Sequence, residues 1–305
     1  MLGSHSTRTS VFEDKVTAIA MEVKAKDVEI LGRVAEGTFG IVYKARWLSA
    51  VVAVKKMRSP LSSKEDFERE VDQLKHLRHP NILSFYGTMI EGETLAIVTE
   101  LMEGDMRMYL KSKALVDPLP KRISILHGAA CGIRYLHYQR LVHRDVKPEN
   151  FLMTHMPAIT SVKLCDFGLS RIKDSTHINT LRMGGTTMYI APEVHRGEQF
   201  DERSDVYSFS IVMWEMMTRQ IPYADKPIAS LPGIVGWGKQ RPSTQMLEAA
   251  FCQEALPGIS PPEMDEVSWS RGLQAAGASL FNMLEALFAM KRHCVVKWHF
   301  AMLTW

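Results

Sequence analysis

The sequence has few of the features that mark secreted, membrane-spanning or fibrous proteins. Its 305 residues contain four cysteines, none in the closely spaced pairs of a metal cage or a disulfide framework: Cys131, Cys165, Cys252 and Cys294. No run of about 18 apolar residues occurs, so we expect no membrane insertion. The polar start lacks the apolar core of a secretory signal. We therefore expect reduced thiols and a cytoplasmic location.

An excess of charge of one sign is also missing. The 37 Lys and Arg residues balance 34 Asp and Glu residues, for a formal net charge of +3. Such a balance gives no indication of nucleic-acid binding, and we expect none. Hydrophobic residues make up 46% of the chain, close to the average of globular proteins. A chain of this length is expected to form two domains, or one domain with two lobes.

Two kinds of hydrophobic pattern divide the chain. After a lead, residues 1–27, apolar and polar residues alternate around glycines over residues 28–102, which is typical of strands joined by tight turns. Helical patterns dominate residues 103–242. Residues 243–305 show no clear hydrophobic pattern, and we expect them to form an atypical, incomplete end of the larger lobe. A small strand-rich lobe followed by a larger helical lobe is an α+β arrangement.

The stretch from Val34 to Val42 contains two glycines, Gly37 and Gly40, where a strand–turn–strand must approach another group closely. A glycine-rich hairpin can point backbone N–H groups at phosphates because no Cβ stands in the way. The same residues suit an ordinary hairpin, so this pattern alone leaves phosphate binding open.

A lysine and a glutamate are predicted to pair within the first lobe. Along a strand, Val51, Ala53 and Lys55 share one face, so the lysine projects into whatever this face covers. Glu70 lies three residues after Phe67, on the apolar side of a predicted helix. A buried carboxylate costs several kcal/mol unless it is paired. Lys55 is the natural partner, and a surface salt bridge is the alternative.

The segment His143-Arg144-Asp145-Val146-Lys147-Pro148-Glu149-Asn150, called here the 143–150 loop, carries the most specific pattern. It places Asp145, Lys147 and Asn150 in one short loop, and Asp166 follows Asn150 by sixteen residues. Asn and Asp oxygens are hard ligands that suit Mg²⁺. Asp145 could accept the proton of a hydroxyl nucleophile while Lys147 neutralises a phosphoryl group. An ordinary polar turn is the alternative.

The ordered set of motifs resembles a eukaryotic protein kinase. The set is the glycine-rich hairpin, Val52-Ala53-Val54-Lys55, the 143–150 loop, Asp166-Phe167-Gly168 and Ala191-Pro192-Glu193. The sequence from Ser204 to Glu215 is similar to that of the tyrosine-kinase-like group of serine/threonine kinases. The resemblance covers residues 28–242. It implies the bilobal protein kinase fold, with a small antiparallel-sheet N-lobe carrying one helix and a larger helical C-lobe.

The resemblance also implies a role for each matching position. Mg-ATP would contact the following residues: Val34, Ala35, Glu36, Gly37, Thr38, Phe39, Gly40, Ile41, Val42, Ala53, Lys55, Thr99, Glu100, Met102 and Leu152. The catalytic set would be Asp145 as base with Lys147, Asn150, Lys55 and Glu70, and the Mg²⁺ ligands would be Asn150 and Asp166. Leu74, Phe85, His143 and Phe167 match a stack of side chains that links the lobes, and Asp205 would anchor the 143–150 loop.

The implied activity is transfer of the ATP γ-phosphoryl group to Ser or Thr hydroxyls of protein substrates, since Lys147 and Thr186 match serine/threonine kinases. The first glycine of the hairpin motif is replaced by Ala35, from which we expect weakened ATP affinity at most. Glu193 lacks the arginine with which it normally pairs, Arg271 being a weak candidate. A pseudokinase or scaffold therefore stays open as the alternative.

A phosphorylation switch is a further expectation from the sequence. Arg144 places a fixed positive charge beside Asp145, and an arginine can receive a phosphate through charge-assisted hydrogen bonds. Thr180 lies far enough from both ends of the segment between Asp166 and Glu193 for its phosphate to reach Arg144. A solvated loop threonine is the alternative.

Overall fold

The computed structural model describes most of the chain between residues 22 and 245, namely residues 22–37, 40–57, 67–68, 70–92, 94–112, 118–155, 160–167, 171–172, 187–243 and 245. The chain divides into two compact units, which are described one at a time. The first contains Met1–Glu103 and Cys165–Gly168, and the second contains Gly104–Leu164 and Leu169–Trp305. Predictions that lie outside the described residues concern Thr38, Phe39, Thr180, Thr186, Arg271 and residues 246–305.

The first unit is a five-stranded antiparallel sheet with strand order β1-β2-β3-β5-β4. The strands are β1 Val28–Gly37, β2 Gly40–Trp47, β3 Ala50–Met57, β4 Phe85–Glu91 and β5 Thr94–Glu100. Helix α1 comprises the helical residues 67, 68 and 70–74, and a 3-10 turn, Ala25–Asp27, precedes the sheet. The turn between β2 and β3 is formed by Leu48 and Ser49, both with positive φ, a geometry that matches the twist of a tight hairpin.

One face of this sheet is covered by residues that precede β1. Val52 and Val54 of β3 belong to a buried cluster that also includes Val23, which is 2% exposed. The backbone N–H of Val23 donates to Thr88 O at 2.8 Å. Because side chains alternate along a strand, Lys55 projects from the opposite face. The last residues of the lead are therefore part of the first unit's core.

The second unit is mainly helical, with small sheets. Its helices are α2 Met106–Lys111, α3 Leu119–Tyr138, α4 Pro192–His195 and α5 Arg203–Thr218, and a π-helical segment spans Pro232–Trp237. Its strands are β6 Gly104–Asp105, β7 Leu141–Val142, β8 Phe151–His155, β9 Thr160–Leu164 and β10 Arg171–Ile172, with 3-10 turns at Pro148–Asn150, Thr187–Tyr189 and Ile228–Ser230. The strands form a β6-β8-β9 sheet and a β10-β7 pair.

Helices α3 and α5 carry much of the second unit's core. Ten of the sixteen residues of α5 are buried, and the run from Ile211 to Met217, apolar except for Glu215, favours such burial. Arg122 of α3 is 3% exposed, and its guanidinium donates to Met217 O at 2.9 Å and Met216 O at 3.3 Å. These carbonyls belong to the last turn of α5, where a cation complements the helix dipole.

The two units together confirm the α+β class predicted from the sequence. A sheet with one helix comes first, and a mainly helical part follows. In the part of the chain that the structure describes, no helix is both long and apolar enough to cross a bilayer.

Candidate active site

The glycine-rich hairpin is formed by the paired ends of β1 and β2, where Gly37 lies opposite Gly40. A Cβ built on Gly40 would lie 2.2 Å from the backbone oxygen of Lys56 on β3. The glycine is therefore required by the close approach of two strands, in addition to any role with a ligand. Ala35 lies opposite Val42 in the same hairpin, and contact of this hairpin with phosphates stays a prediction.

Lys55 lies between two carboxylates of the first unit. Its Nζ is 2.8 Å and 3.0 Å from the two oxygens of Glu70 on α1, and 3.4 Å from Asp166 Oδ1. The Glu70 side chain is 5% exposed, whereas those of Lys55 and Asp166 are 21% and 25% exposed. Burial alone would lower the pKa of Lys55, but the charges of Asp166 and Glu70 outweigh it and raise that pKa. The predicted Lys55–Glu70 pair is present, and its amine stays charged at any physiological pH.

The end of β5 holds three further residues expected near the nucleotide. The Thr99 hydroxyl donates to Glu100 O at 3.1 Å. Glu100 Oε1 accepts from Ser84 N at 2.6 Å, and Glu100 N donates to Ser84 O at 3.0 Å. Met102 is buried. The Glu100 side chain therefore fixes the chain just before β4.

The other expected nucleotide contacts fall in both units. In the first unit Ala53 is buried on β3, Val34 is half exposed on β1, and Glu36 forms an ion pair with Arg33. Ile41 lies on β2 in the first unit, opposite Lys56. Leu152 lies on β8 in the second unit, opposite Lys163 of β9. Their contact with a nucleotide stays a prediction.

Asp145 is a buried carboxylate of the second unit with its two oxygens in different environments. Oδ2 accepts from Lys147 Nζ at 2.5 Å and from Asn150 Nδ2 at 3.1 Å. Asn150 Nδ2 also donates to the Asp145 backbone oxygen at 2.7 Å. Oδ1 is buried, and no described residue donates a hydrogen bond to it. One oxygen is held in place, and the other can accept a proton from a hydroxyl group.

The two expected Mg²⁺ ligands supply oxygen atoms of the kind this ion prefers. Because Asn150 Nδ2 makes both bonds to Asp145, its amide oxygen is the atom that remains for a cation. Asp166 supplies a carboxylate in the first unit. The described residues contain no group of three His, Cys, Asp or Glu side chains that could hold a metal ion alone. Mg²⁺ is typically held by only a few protein ligands, and phosphate oxygens complete its coordination.

The first half of the 143–150 loop is anchored by Asp205 of α5, as the sequence predicts. Asp205 Oδ2 accepts from His143 N, and Oδ1 accepts from Arg144 N, both at 2.8 Å. His137 Nε2 lies 2.9 Å from Oδ2. Burial alone would raise the pKa of Asp205, but His137, His143 and the Arg144 N–H lower it. Arg144 has a φ of 72°, a left-handed conformation that persists only where its surroundings hold it.

A second anchor of this loop is not among the residues singled out from the sequence. Arg107 of α2 donates from Nε to Glu149 Oε1 at 2.9 Å, and from its other two nitrogens to Glu215 and to the Tyr189 hydroxyl. The Tyr189 hydroxyl donates to Glu215 Oε2 at 2.6 Å. A signal for Glu215 existed in the sequence, since it is a glutamate within the buried, apolar helix α5. The reasoning that located Glu70 applies equally to it.

Glu193 is the residue expected from the sequence to lack its usual arginine partner. Glu193 lies on α4 and is half-buried. Within the described ranges, no side chain forms a hydrogen bond or ion pair with its carboxylate, which interacts electrostatically with Arg196 and Arg203. Its candidate partner, Arg271, is outside those ranges.

Comparison with known proteins gives a consistent result. A family model described as protein tyrosine and serine/threonine kinase matches residues 28–253. The chain is 38% identical over 229 residues to serine/threonine-protein kinase CTR1 of Arabidopsis thaliana, an alignment that covers 72% of this chain and 28% of that protein. It is 37% identical over 203 residues to serine/threonine-protein kinase VIK of the same plant, covering 63% and 46% of the two chains.

A third relative comes from a different organism. The chain is 34% identical over 210 residues to probable serine/threonine-protein kinase kinX of Dictyostelium discoideum, covering 67% of this chain and 19% of that protein. The chain thus spans less than half the length of each of these three relatives.

The sheet with its Lys55–Glu70 pair, the anchored 143–150 loop and the family match lead to one assignment: the chain belongs to the protein kinase family. Within that family its similarity is to serine/threonine kinases, and the resemblance to the tyrosine-kinase-like group is confirmed. Membership implies ATP with Mg²⁺ and protein substrates.

Proposed function

We propose that this chain transfers the γ-phosphoryl group of ATP to Ser and Thr hydroxyls of protein substrates, with Asp145 as the catalytic base. The observation that carries the proposal is the unequal environment of the two Asp145 oxygens. Oδ2 is fixed by Lys147 and Asn150, while Oδ1 is buried and accepts no hydrogen bond from any described residue. A buried oxygen of this kind is suited to receive the proton of an attacking hydroxyl.

The remaining residues act by positioning and by neutralising charge, which account for most of the rate in phosphoryl transfer. Lys147 donates to Asp145 and can also neutralise negative charge that develops on the phosphoryl group. Lys55 keeps its positive charge between Glu70 and Asp166, so it can bind phosphate oxygens. Mg²⁺, held through oxygens of Asn150 and Asp166, would neutralise the charge of the phosphates.

The Asp145→Asn variant tests this assignment. The amide keeps the size of the side chain but cannot accept the proton, so kcat should fall by about 10²–10⁴-fold. The matched control is Asp225→Asn, since Asp225 is an exposed aspartate of the same unit that pairs with Lys226 at 2.8 Å. We expect this control to retain the parent's rate.

The identity of the modified residues gives a second readout. Mass spectrometry of protein incubated with ATP and Mg²⁺ should detect phosphoserine and phosphothreonine. A product dominated by phosphotyrosine would overturn the acceptor class. A parent that transfers nothing above background would instead favour the scaffold alternative.

A cytoplasmic location is proposed on separate grounds. Among the described residues, Cys131 and Cys165 form no disulfide bond, which is the pattern of a reducing compartment. Fractionation of cells that express the chain would test this proposal.

A further inference from the structure

Arg107 joins the second half of the 143–150 loop to the core of the second unit. Its Nε donates to Glu149 Oε1 at 2.9 Å, and Glu149 belongs to the 3-10 turn Pro148–Asn150. Its remaining nitrogens donate to Glu215 of α5 and to the Tyr189 hydroxyl. One planar guanidinium thus fixes segments from three other parts of the chain, a use to which arginine is better suited than lysine.

The loop is therefore held on one helix at two points. Asp205 of α5 accepts from His143 N and Arg144 N, at the start of the loop. Glu215 lies ten residues further along α5, a rise of about 15 Å, and reaches the end of the loop through Arg107. A rigid helix that fixes both ends of a short loop also fixes the side chains between them.

The contact at Glu149 is placed to affect the reactive carboxylate. Asn150 follows Glu149 in the same turn, and its backbone N–H donates to Lys147 O at 3.0 Å. Asn150 in turn donates to Asp145 Oδ2 at 3.1 Å. A shift of Glu149 would therefore displace Asn150 and release one of the two donors that fix Asp145.

We propose that Arg107 is a positioning residue for phosphoryl transfer, acting through Glu149 and Asn150 on Asp145. This inference rests on the proposed function of Asp145. The Glu149 side chain is 44% exposed, and exposed ion pairs add little to stability. Orientation of the loop is therefore the main effect of the Arg107–Glu149 bond, whereas the bond to Glu215, whose side chain is 3% exposed, also stabilises the fold.

This difference allows the two roles of Arg107 to be separated. Arg107→Met removes the bonds to Glu149, Glu215 and Tyr189 and leaves the Glu215 carboxylate buried without its cation, so the melting temperature and kcat should both fall. Adding Glu215→Gln removes the uncompensated charge. The double variant should recover most of the melting temperature but not the rate. We expect kcat to fall about 10–100-fold in both variants, the size typical of a misplaced catalytic group, with KM for ATP within about twofold of the parent.

Glu149→Ala tests the same connection from the other side. It should lower kcat by a similar factor with little change in melting temperature. Combining it with Arg107→Met should lower kcat no further than Arg107→Met alone, since both changes break the Arg107–Glu149 bond. Arg107→Lys keeps the charge but not the planar fork, and should restore the rate only in part.

The matched control is Arg122→Met, since Arg122 is also a buried arginine of the second unit whose guanidinium contacts α5. It should lower the melting temperature without changing kcat at 25 °C. Hydrogen exchange of residues 143–150 gives a readout independent of turnover. Exchange should rise in Arg107→Met and in its double variant with Glu215→Gln, and stay unchanged in Arg122→Met.

Two results would overturn the inference. One is a kcat that recovers together with the melting temperature in the double variant, which would make Arg107 purely structural. The other is unchanged exchange of the loop in Arg107→Met. A parent without transfer would count against the proposed function alone, because the exchange measurement still decides whether Arg107 positions the loop.

Discussion

Lys55 of the first unit and Arg107 of the second each bond to more than one acidic side chain, and the two basic side chains differ in chemistry. In the first unit, Lys55 bonds to Glu70 at 2.8 Å and lies 3.4 Å from Asp166. In the second unit, Arg107 bonds to Glu149, Glu215 and Tyr189. A lysine amine is a compact charge with rotatable donors, whereas a guanidinium has donors in a fixed plane. The first arrangement suits a charge that must also bind a ligand, and the second suits a permanent structural junction.

The largest effect that tests this comparison is expected at Lys55. Lys55→Met should reduce phosphotransfer by several orders of magnitude and also lower the melting temperature, because Glu70, whose side chain is 5% exposed, loses its cation. The methionine still fills the space of the lysine stem, and Asp166, whose side chain is 25% exposed, can be solvated by water, so the unpaired Glu70 accounts for the loss of stability. A phosphotransfer assay and a thermal melt of the same preparations measure both quantities.

A conservative swap provides the control for that experiment. Lys55→Arg keeps the charge, but we expect it to remain severely impaired because the guanidinium cannot replace a compact amine at this position. If Lys55→Met retained near-parent activity, the role of Lys55 as a phosphate ligand would be wrong. If the melting temperature fell while activity was kept, Lys55 would be a structural junction like Arg107.

A smaller effect is expected from two carboxylates on helix α5 whose pKa values shift in opposite directions. The pKa of Asp205 is lowered in the folded protein, despite its burial, by His137, His143 and a backbone N–H. Its contribution to stability is thus present above the unfolded pKa of about 3.9 and is lost as the pH falls through the folded pKa. Burial raises the pKa of Glu215, although Tyr189 and Arg107 oppose it. The contribution of Glu215 to stability is therefore present at low pH and is lost as the pH rises through its pKa in the folded protein.

Two amide variants make this contrast measurable. Asp205→Asn should melt below the parent at neutral pH, and the difference in melting temperature between the two should become smaller below about pH 4. Glu215→Gln should gain in melting temperature relative to the parent as the pH rises above about 4.3, the unfolded value of glutamate. Each change should amount to a few degrees. Melts from pH 3 to 8 measure both, and a shift of the two variants in the same direction would contradict the opposite pKa directions.

The smallest effect is expected at Ala35. Restoring glycine should lower KM for ATP by no more than about threefold, because Gly37 and Gly40 already form the turn end of the hairpin and the methyl group is the only change. Ala35→Val is the matched variant in the opposite direction, and it should raise KM. Steady-state kinetics with varied ATP measure both. A glycine variant with a KM more than tenfold below the parent would show that Ala35 obstructs the nucleotide.

The sequence predicted those contacts that depend on local pattern and on a single strong energetic penalty. The α+β class followed from the change in hydrophobic period, and the pairing of Glu70 followed from the cost of burying a carboxylate. Arg107 was missed because its partners are 42, 82 and 108 residues away in the sequence. No local sequence pattern indicates which arginine will bond to Glu215, since that depends on how the helices pack.

Gly40 shows a different limit of prediction from sequence. The sequence indicated correctly that backbone must approach closely there, but it could not show which group approaches. The structure shows that Lys56 O of the neighbouring strand occupies the space of a Cβ. A glycine in a motif can thus be required by the fold itself, which makes substitution at Gly40 a poor test of nucleotide binding.

The position of Val23 has a practical consequence for anyone who produces a fragment of this kinase. The family match begins at residue 28, yet Val23 is 2% exposed in the cluster on one face of the sheet. A fragment cut at residue 28 would leave Val52, Val54 and Val98 without this cover and would strip the edge strand β4 of its hydrogen bond at Thr88. Exposed apolar surface beside an open strand edge promotes aggregation. Expression boundaries should therefore be set before residue 22.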